Sequence, residues 1–519
     1  MPDLQTPGAG RAYQKEFDRA LAFQKQGRIE DATVLYRVLI ERYPKAAEAY
    51  INLGNLLIDQ RRFERARQHF STAVDIAPHL VEAHNGLAIS LNRLGDKDAA
   101  ADRLKVALGI APNNPHVLNN LANILREGGK RDEAEKMYRA TVSIDPKFAA
   151  AHHSLGVIAR QRCDFAAAVR NFEDAVAAQA DYAEAHFSLG MARLTLGEFK
   201  GGWPEYEWRW KCGQFPGRQI TGTPWQGQNL SNKTLLLHAE QGYGDTIQFF
   251  RFAEMLKRRG TSIIAYCQRQ LKRVVETIPG IDTVIAEGEP VPTFDYYVAA
   301  LSVPAVLDIG LPDLPGRIPY VKEPTGYDRR FDMLLSATES TVRIGFAWAG
   351  RASHENDRQR SCPPDQFRQI MGQSDISLIS LQRDRPALTG DFAASIVDTA
   401  ALLDDFGDTA ALIERLDLVI TVDTAVAHLA GAMGKPVWVL LPYIPDWRWM
   451  LEVAESPWYP TARLFRQPAP GDWPSVFAEV DRQLAELRRS RSENRTDTEV
   501  IELASAFKLS DGTERFVMP

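Results

Sequence analysis

The sequence predicts an α-helical repeat solenoid followed by an α/β region of two doubly wound domains. Three observations lead there. Residues recur at a spacing of 34 through the first two fifths of the chain. Short apolar strands alternate with helical stretches after about residue 231. A proline-rich connection, "LPDLPGRIPYVKEPTGYD", divides those strands into two sets.

The repeat is carried by four kinds of position. Prolines stand at Pro44, Pro78, Pro112 and Pro146, and alanines at Ala32, Ala66, Ala100, Ala134 and Ala168. Large residues follow at Tyr36, Phe70, Leu104, Tyr138 and Phe172, and small ones at Ala20, Gly54, Ala88, Ala122, Gly156 and Gly190. This pattern resembles the tetratricopeptide repeat, a helix–turn–helix unit. The small residues let paired helices approach, and each proline ends a second helix. A sixth unit begins near Ala183 and loses the pattern in "GEFKGGWPEYEWRW", whose aromatics suit an end cap. The expected organisation is a disordered N-terminus over 1–12, a repeat array over 13–211, a linker over 212–230, α/β domains over 231–325 and 341–487, and a polar tail over 488–519.

Such arrays hold extended polypeptides along a concave face. Asn52 and Asn55 lie three apart on one first helix, Asn120 and Asn123 repeat that placement two units later, and Asn85 lies near the same stripe. Residues three apart share a helix face. These amides either read peptide backbone or are ordinary polar surface.

Within the α/β region, strands are read at "KTLLLHA", "SIIAYC", "DTVIA" and "YYVAA", then at "TVRIGFAWAG", "ISLISLQ", "LDLVITV" and "KPVWVLLP". Alternation of strand and helix argues parallel sheets covered on both faces. Ligands of such folds bind beyond the carboxyl ends of the strands, so residues there are the candidates for chemistry.

Three strand ends stand out, besides the first. In "LDLVITVDTAVAHLAGAMGKPVWVLLP", Asp423, Thr424 and Ala425 open a helix carrying His428. Backbone N–H groups at a helix start favour an anion such as a diphosphate. A helix cap and a core histidine would explain the same residues. The loop after "GFAWAG" carries Arg351, His354, Arg358 and Arg360, cations suited to phosphate oxygens. In "PYIPDWRWM" the aromatics suit a sugar, a domain seam or simple packing.

The first strand, "LLLHA", runs through "EQGYGD" into a helix. Gln241, Gly242 and Gly244 make a glycine-rich turn, and Asp245 stands where a carboxylate faces the cleft. Asp245-Thr-Ile-Gln248 also fits a helix capping box with the acid at the cap.

Together, "HAEQGYGDTIQF" and "TVDTAVAHLAGAMGKPVWVLLPYIPDWRW" resemble bacterial tetratricopeptide-repeat proteins with a glycosyltransferase domain. That domain is related to ADP-heptose lipopolysaccharide heptosyltransferases (glycosyltransferase family 9) and, more distantly, to protein O-GlcNAc transferases. The resemblance covers roughly 203–485 as well as the array. It implies a GT-B fold of two Rossmann-like domains, an inverting mechanism and a nucleotide-sugar donor held by the second domain. It places the base at Asp245 and the donor at Asp423, Thr424 and His428. Ala425 departs from the family's glycine, and the family's phosphate lysine has no clear equivalent, leaving Arg358 or Arg360 to substitute. It implies no metal and no cofactor, the nucleotide sugar being a substrate. The acceptor is read as a protein in the repeat groove, with flagellin a candidate because some repeat-bearing relatives modify it. A glycan acceptor with the array as scaffold, and a non-catalytic scaffold, are the alternatives.

Bulk properties restrict the classes further. Of 519 residues, 45% are apolar, enough for packed cores. Sixty-one basic and 67 acidic residues give a net charge of −6, which argues against a nucleic-acid binder. The four cysteines form no C-x-x-C pair and read as reduced thiols. The start "MPDLQTPGAG" lacks a signal-peptide pattern, and the apolar runs are too short for a transmembrane segment, so a cytoplasmic protein is expected.

Overall fold

A computed structural model describes residues 7–493, except 214–216, 218–219, 326–329, 337–341, 353–355, 372–375, 384 and 386–387. The chain divides into two compact units, Met1–Ser188 and Leu189–Pro519.

The first unit is a run of antiparallel helix pairs. Its first helix, Pro7–Lys25, already covers half of the stretch expected to be disordered. Pro7 takes the first helical position, where its missing N–H has no intrahelical partner to lose. Paired helices follow at Ala47–Asp59 with Phe63–Ile76, and at Pro115–Glu127 with Arg131–Ile144. The repeated alanines and large residues are buried, among them Ala66 with Phe70 and Ala134 with Tyr138. A Cβ on Gly54 would lie 2.7 Å from the Phe70 ring, and one on Gly156 2.5 Å from Phe172. From Ala20 to Gly156 the small position is therefore glycine where a phenylalanine packs on it and alanine in the repeats carrying Tyr36, Leu104 and Tyr138, while Gly190 lies against the Glu205 and Tyr206 backbone. Side-chain bonds also join successive first helices: Asn120 Nδ2 donates to Asn85 Oδ1 at 2.8 Å, and His153 Nε2 meets Ser188 Oγ at 3.1 Å.

The second unit begins inside the helix Ala183–Thr195 and includes the helix Phe199–Tyr206, expected to close the array. Its aromatics instead enter the core of this unit. Trp203 Nε1 donates to Ile309 O at 2.9 Å, and its ring meets Phe249 and Trp447 edge-on. The expected linker is likewise built in. Trp225 is buried and its N–H donates to Tyr297 O at 2.8 Å, since "GTPW" runs beside a sheet edge that needs partners.

Two parallel sheets follow. The first holds β1 (Thr234–His238), β2 (Ser262–Cys267), β3 (Thr283–Ala286) and β4 (Tyr296–Ala299), in the order β3-β2-β1-β4. The second holds β5 (Val342–Ala347), β6 (Ile376–Ser380), β7 (Val397–Asp398), β8 (Leu418–Val422), β9 (Val437–Leu441) and β10 (Ala462–Arg466). Its order, β10-β9-β8-β5-β6-β7, is that of the doubly wound dinucleotide-binding fold. Strands β8 and β9 are buried throughout, as their unbroken apolar sequence requires. The order reverses between β5 and β8, which pair from Ile344↔Leu418 to Ala347↔Thr421. Loops leaving those two strands diverge and open a crevice.

The last helix, Trp473–Glu493, extends into the expected polar tail. Among the described residues, no helix is long and apolar enough to cross a membrane.

Candidate active site

The glycine-rich turn leaves β1 and enters the helix Tyr243–Phe249. Gly242, not Asp245, is the cap residue; Asp245 sits one turn inside and reaches back to accept the Gly242 N–H at 2.8 Å. The expected acid-at-cap register is thus displaced by three residues. Gln248, the other member of that pattern, is buried and does not cap. The second oxygen of Asp245 explains the displacement, because it pairs with the guanidinium of Arg448 from the loop after β9.

Gly244 shows why the turn needs a second glycine. A Cβ there would lie 2.6 Å from Cδ2 of His428, so a bare backbone lets the first helix of one sheet rest on the imidazole of the other. Tyr243 completes the contact, accepting from Arg351 Nη2 at 3.1 Å through its hydroxyl.

Around this meeting point the charges are largely buried. Arg448 donates to Asp446 Oδ1 at 2.7 Å as well as to Asp245, and its charged form is held firmly by both carboxylates despite burial. Its guanidinium lies 4.3 Å from the centre of the Trp447 ring. Asp423, at the end of β8, is pushed up to about 6, first by burial and then by Asp446; Trp449, Arg360 and Arg448 oppose the rise. Among the described residues the buried Trp449 indole N–H makes no well-formed hydrogen bond.

His428 is buried, with Nδ1 against Tyr459 OH at 3.0 Å and its ring stacked on Trp449. Burial, then Arg448, lowers it to about 3. It is a neutral imidazole, so any contact with an anion is a hydrogen bond and not an ion pair.

Thr424 occupies the cap position of the helix Ala425–Ala432, but its hydroxyl meets Thr421 Oγ1 at 3.1 Å instead of a helix N–H. The side chain therefore leaves the helix start uncapped. Arg360 joins β5 to β8 across the crevice: Nη1 donates to Asp423 O at 3.2 Å, and the guanidinium lies over Gly350. Arg351 and Arg358 are exposed. His354 lies outside the described residues.

The structure thus brings Gly242, Gly244, Asp245, Asp423, Thr424, Ala425, His428, Arg351 and Arg360 to facing strand ends of the two sheets. Gln241 turns elsewhere, its amide donating to Glu240 Oε1 at 3.1 Å and Tyr206 OH at 3.4 Å. In "PDWRW", Trp447 and Trp449 are buried, Trp447 against Trp203 and Phe249 and Trp449 against His428, so their rings pack between the elements of the two sheets. Arg448 in that motif escaped the sequence reading. An acid two residues before an arginine on a strand-end loop was its one local signal.

In the array, Asn55 is exposed, whereas Asn52 is half-buried beside Tyr36. Asn85 and Asn120 bond each other, and Asn123 Oδ1 accepts from Tyr138 OH at 2.6 Å. The stripe is partly occupied by its own structure.

Periodic helix pairs followed by parallel sheets, the second in doubly wound order, define a helical-repeat protein with an α/β region. Tetratricopeptide-repeat families match 17–81, 91–157 and 159–202, and glycosyltransferase family 9 (heptosyltransferase) matches 404–442, the segment holding β8 and Asp423–His428. The chain therefore combines tetratricopeptide repeats with a family 9-like glycosyltransferase region. It is 25% identical over 324 residues to Protein FlbA of Caulobacter vibrioides, covering 57% of this chain and 54% of that protein. The chain thus matches about half the length of that relative. Similar solved structures include MamA (22% identity, 32% of this chain and 96% of that one, TM-score 0.29). The pilus biogenesis factor PilW (17%, 40% and 96%, 0.36) and a thermophilic tetratricopeptide-repeat protein of Thermus thermophilus (16%, 35% and 99%, 0.32) are others.

Proposed function

We propose that this protein is an inverting glycosyltransferase of GT-B architecture, moving a sugar from a nucleotide donor to a hydroxyl of a polypeptide held by the repeat array. The observation that carries the reading is the encounter of Asp245 and Gly244 with Arg448 and His428, which sets a carboxylate beside the family 9-like segment.

In this reading the donor diphosphate lies at the uncapped helix start after Asp423, within reach of Arg351, Arg358 and Arg360. Asp245 takes the proton of the acceptor hydroxyl. The acceptor oxygen forms a bond to the anomeric carbon from the face opposite the diphosphate. The bond from that carbon to the phosphate oxygen breaks, and its electron pair leaves on the nucleoside diphosphate, so the configuration inverts. The leaving charge is met by arginines and helix-start N–H groups. The donor enters as a substrate, and the step as written needs no cofactor or metal. Asp245 keeps lone pairs available, since each carboxylate oxygen accepts more than one hydrogen bond.

The test is a thermal-shift screen of nucleotide sugars, because a ligand of the folded state raises its melting temperature. The best ligand is then incubated with candidate polypeptides, flagellin first, and the anomeric configuration of the product read by NMR. A screen with no stabilising donor, or a product of retained configuration, overturns the reading.

A further inference from the structure

The inner helices of the array carry a pair of arginines in register. Arg126 and Arg160 occupy the same place in successive repeats, on the helices Pro115–Glu127 and Ala149–Gln161. Neighbouring repeats put asparagine or an apolar residue there, at Asn92 and Ile58. The cations are thus confined to two adjacent units.

Their surroundings supply little counter-charge. Among the described residues Arg126 Nε reaches only the Tyr138 hydroxyl, at 3.4 Å, and that hydroxyl donates onward to Asn123. The Arg160 side chain makes no hydrogen bond or ion pair among the described residues, although it is partly buried and burial lowers its pKa. His153 senses both arginines. Burial and then Arg160 bring it down to about 4, so it adds no charge at neutral pH. Its Nε2 is engaged with Ser188, and its ring packs on Phe172 and Tyr182. Glu184 is the acid that faces His153 and raises it, yet it forms no ion pair with either arginine among the described residues.

A partly desolvated guanidinium without an acceptor is costly to keep. Two at equivalent positions, with Nη groups that make no hydrogen bond among the described residues, match the forked geometry that binds carboxylates. We propose that Arg126 and Arg160 clamp carboxylates of an acidic segment of the polypeptide acceptor, a proposal that rests on the array holding that acceptor. The asparagines would then contact the chain generally, while the arginines select acidic stretches of it.

The experiment uses the full chain and two fluorescein-labelled decapeptides, one alternating aspartate with alanine and the other asparagine with alanine. Fluorescence anisotropy should give at least about tenfold tighter binding of the aspartate peptide, weakening with salt as exposed charge pairs do. Arg126→Gln with Arg160→Gln should abolish that preference, and Arg126→Lys with Arg160→Lys should restore part of it, with melting curves confirming that both fold. Equal binding of the two peptides, or a preference unchanged in the glutamine variant, overturns the clamp. The underlying groove reading is tested separately, by transfer to a protein acceptor after Asn52, Asn55, Asn120 and Asn123 are changed to alanine. Lost transfer with no acidic preference keeps the groove and removes the clamp. Undiminished transfer removes the groove itself.

Discussion

Asp245 is held from both sides: Arg448 pairs with one carboxylate oxygen and the Gly242 N–H donates to the other at 2.8 Å. The residue proposed as the base is thus also a tie between two sheets. Asparagine offers one acceptor oxygen where aspartate offers two, so its amide must meet Arg448 or Gly242 donor to donor.

Asp245→Asn should therefore lower the melting temperature as well as activity. A lost charged hydrogen bond accounts for about 1–3 kcal/mol of stability. Removal of a general base lowers turnover by about 10²–10⁴-fold. Measured well below the melting transition, a kcat loss of only a few-fold would leave Asp245 as a structural tie.

Gly244→Ala should force the His428 ring to move, since the new Cβ would lie 2.6 Å from Cδ2. Overpacking of this kind costs about 1–3 kcal/mol. His428→Ala opens space at the same point, so the double variant should be more stable than the sum of the two single losses predicts. Urea denaturation of the four proteins gives the answer, and simple additivity would refute the contact.

Asp423 and His428 predict opposing pH dependences. The folded value of Asp423, about 6, lies above its ordinary one, so its contribution is fully present at low pH and is lost as pH rises through about 6. His428, lowered to about 3, contributes fully above its ordinary value of about 6.5, and that contribution is lost as pH falls toward 3. Asp423→Asn should accordingly gain stability relative to the natural protein between about pH 4 and 6. Melting temperatures taken across that range check it. A difference independent of pH would mean that Asp423 does not titrate there.

Arg358 is exposed, so its removal should disturb binding more than folding. Arg358→Ala should weaken nucleoside diphosphate binding by about 1–3 kcal/mol, the scale of charged hydrogen bonds. Calorimetric titration with the diphosphate of the stabilising donor reads this directly. Unchanged affinity would move the phosphate to Arg351 and Arg360.

Periodicity made the array legible, but not why a small position is glycine or alanine, which depends on the group packed against it. Eight of the strands were legible too, because buried parallel strands read as apolar runs. β10 was hidden by Arg463 and Arg466, which break the run in "ARLFR". β7 has only two residues. At the site, the types and spacing of Asp245, Asp423 and His428 were readable locally. The partner of Asp245 was not, since Arg448 lies 203 residues away. The cap register failed for the same reason: local pattern allows either placement, and a distant guanidinium decides. Nothing in its own helix marks His428 as neutral, because burial is a property of the whole fold.

Trp203 bears on how such proteins can be recombined. Its ring sits among Phe199, Tyr206, Phe249 and Trp447, and its N–H is bonded to Ile309. A chimaera joined at residue 212, where the expected array ends, would leave that aromatic nest unfilled. Truncating a buried tryptophan to alanine alone costs about 3–5 kcal/mol, and this cut removes the neighbouring rings as well. The compact units divide at Ser188, inside the helix Ala183–Thr195, so a junction that keeps both that helix and the whole nest has to fall before Ala183. Exchange of repeat arrays between proteins of this build would therefore have to carry the last helix pair with the α/β region, as a shared socket.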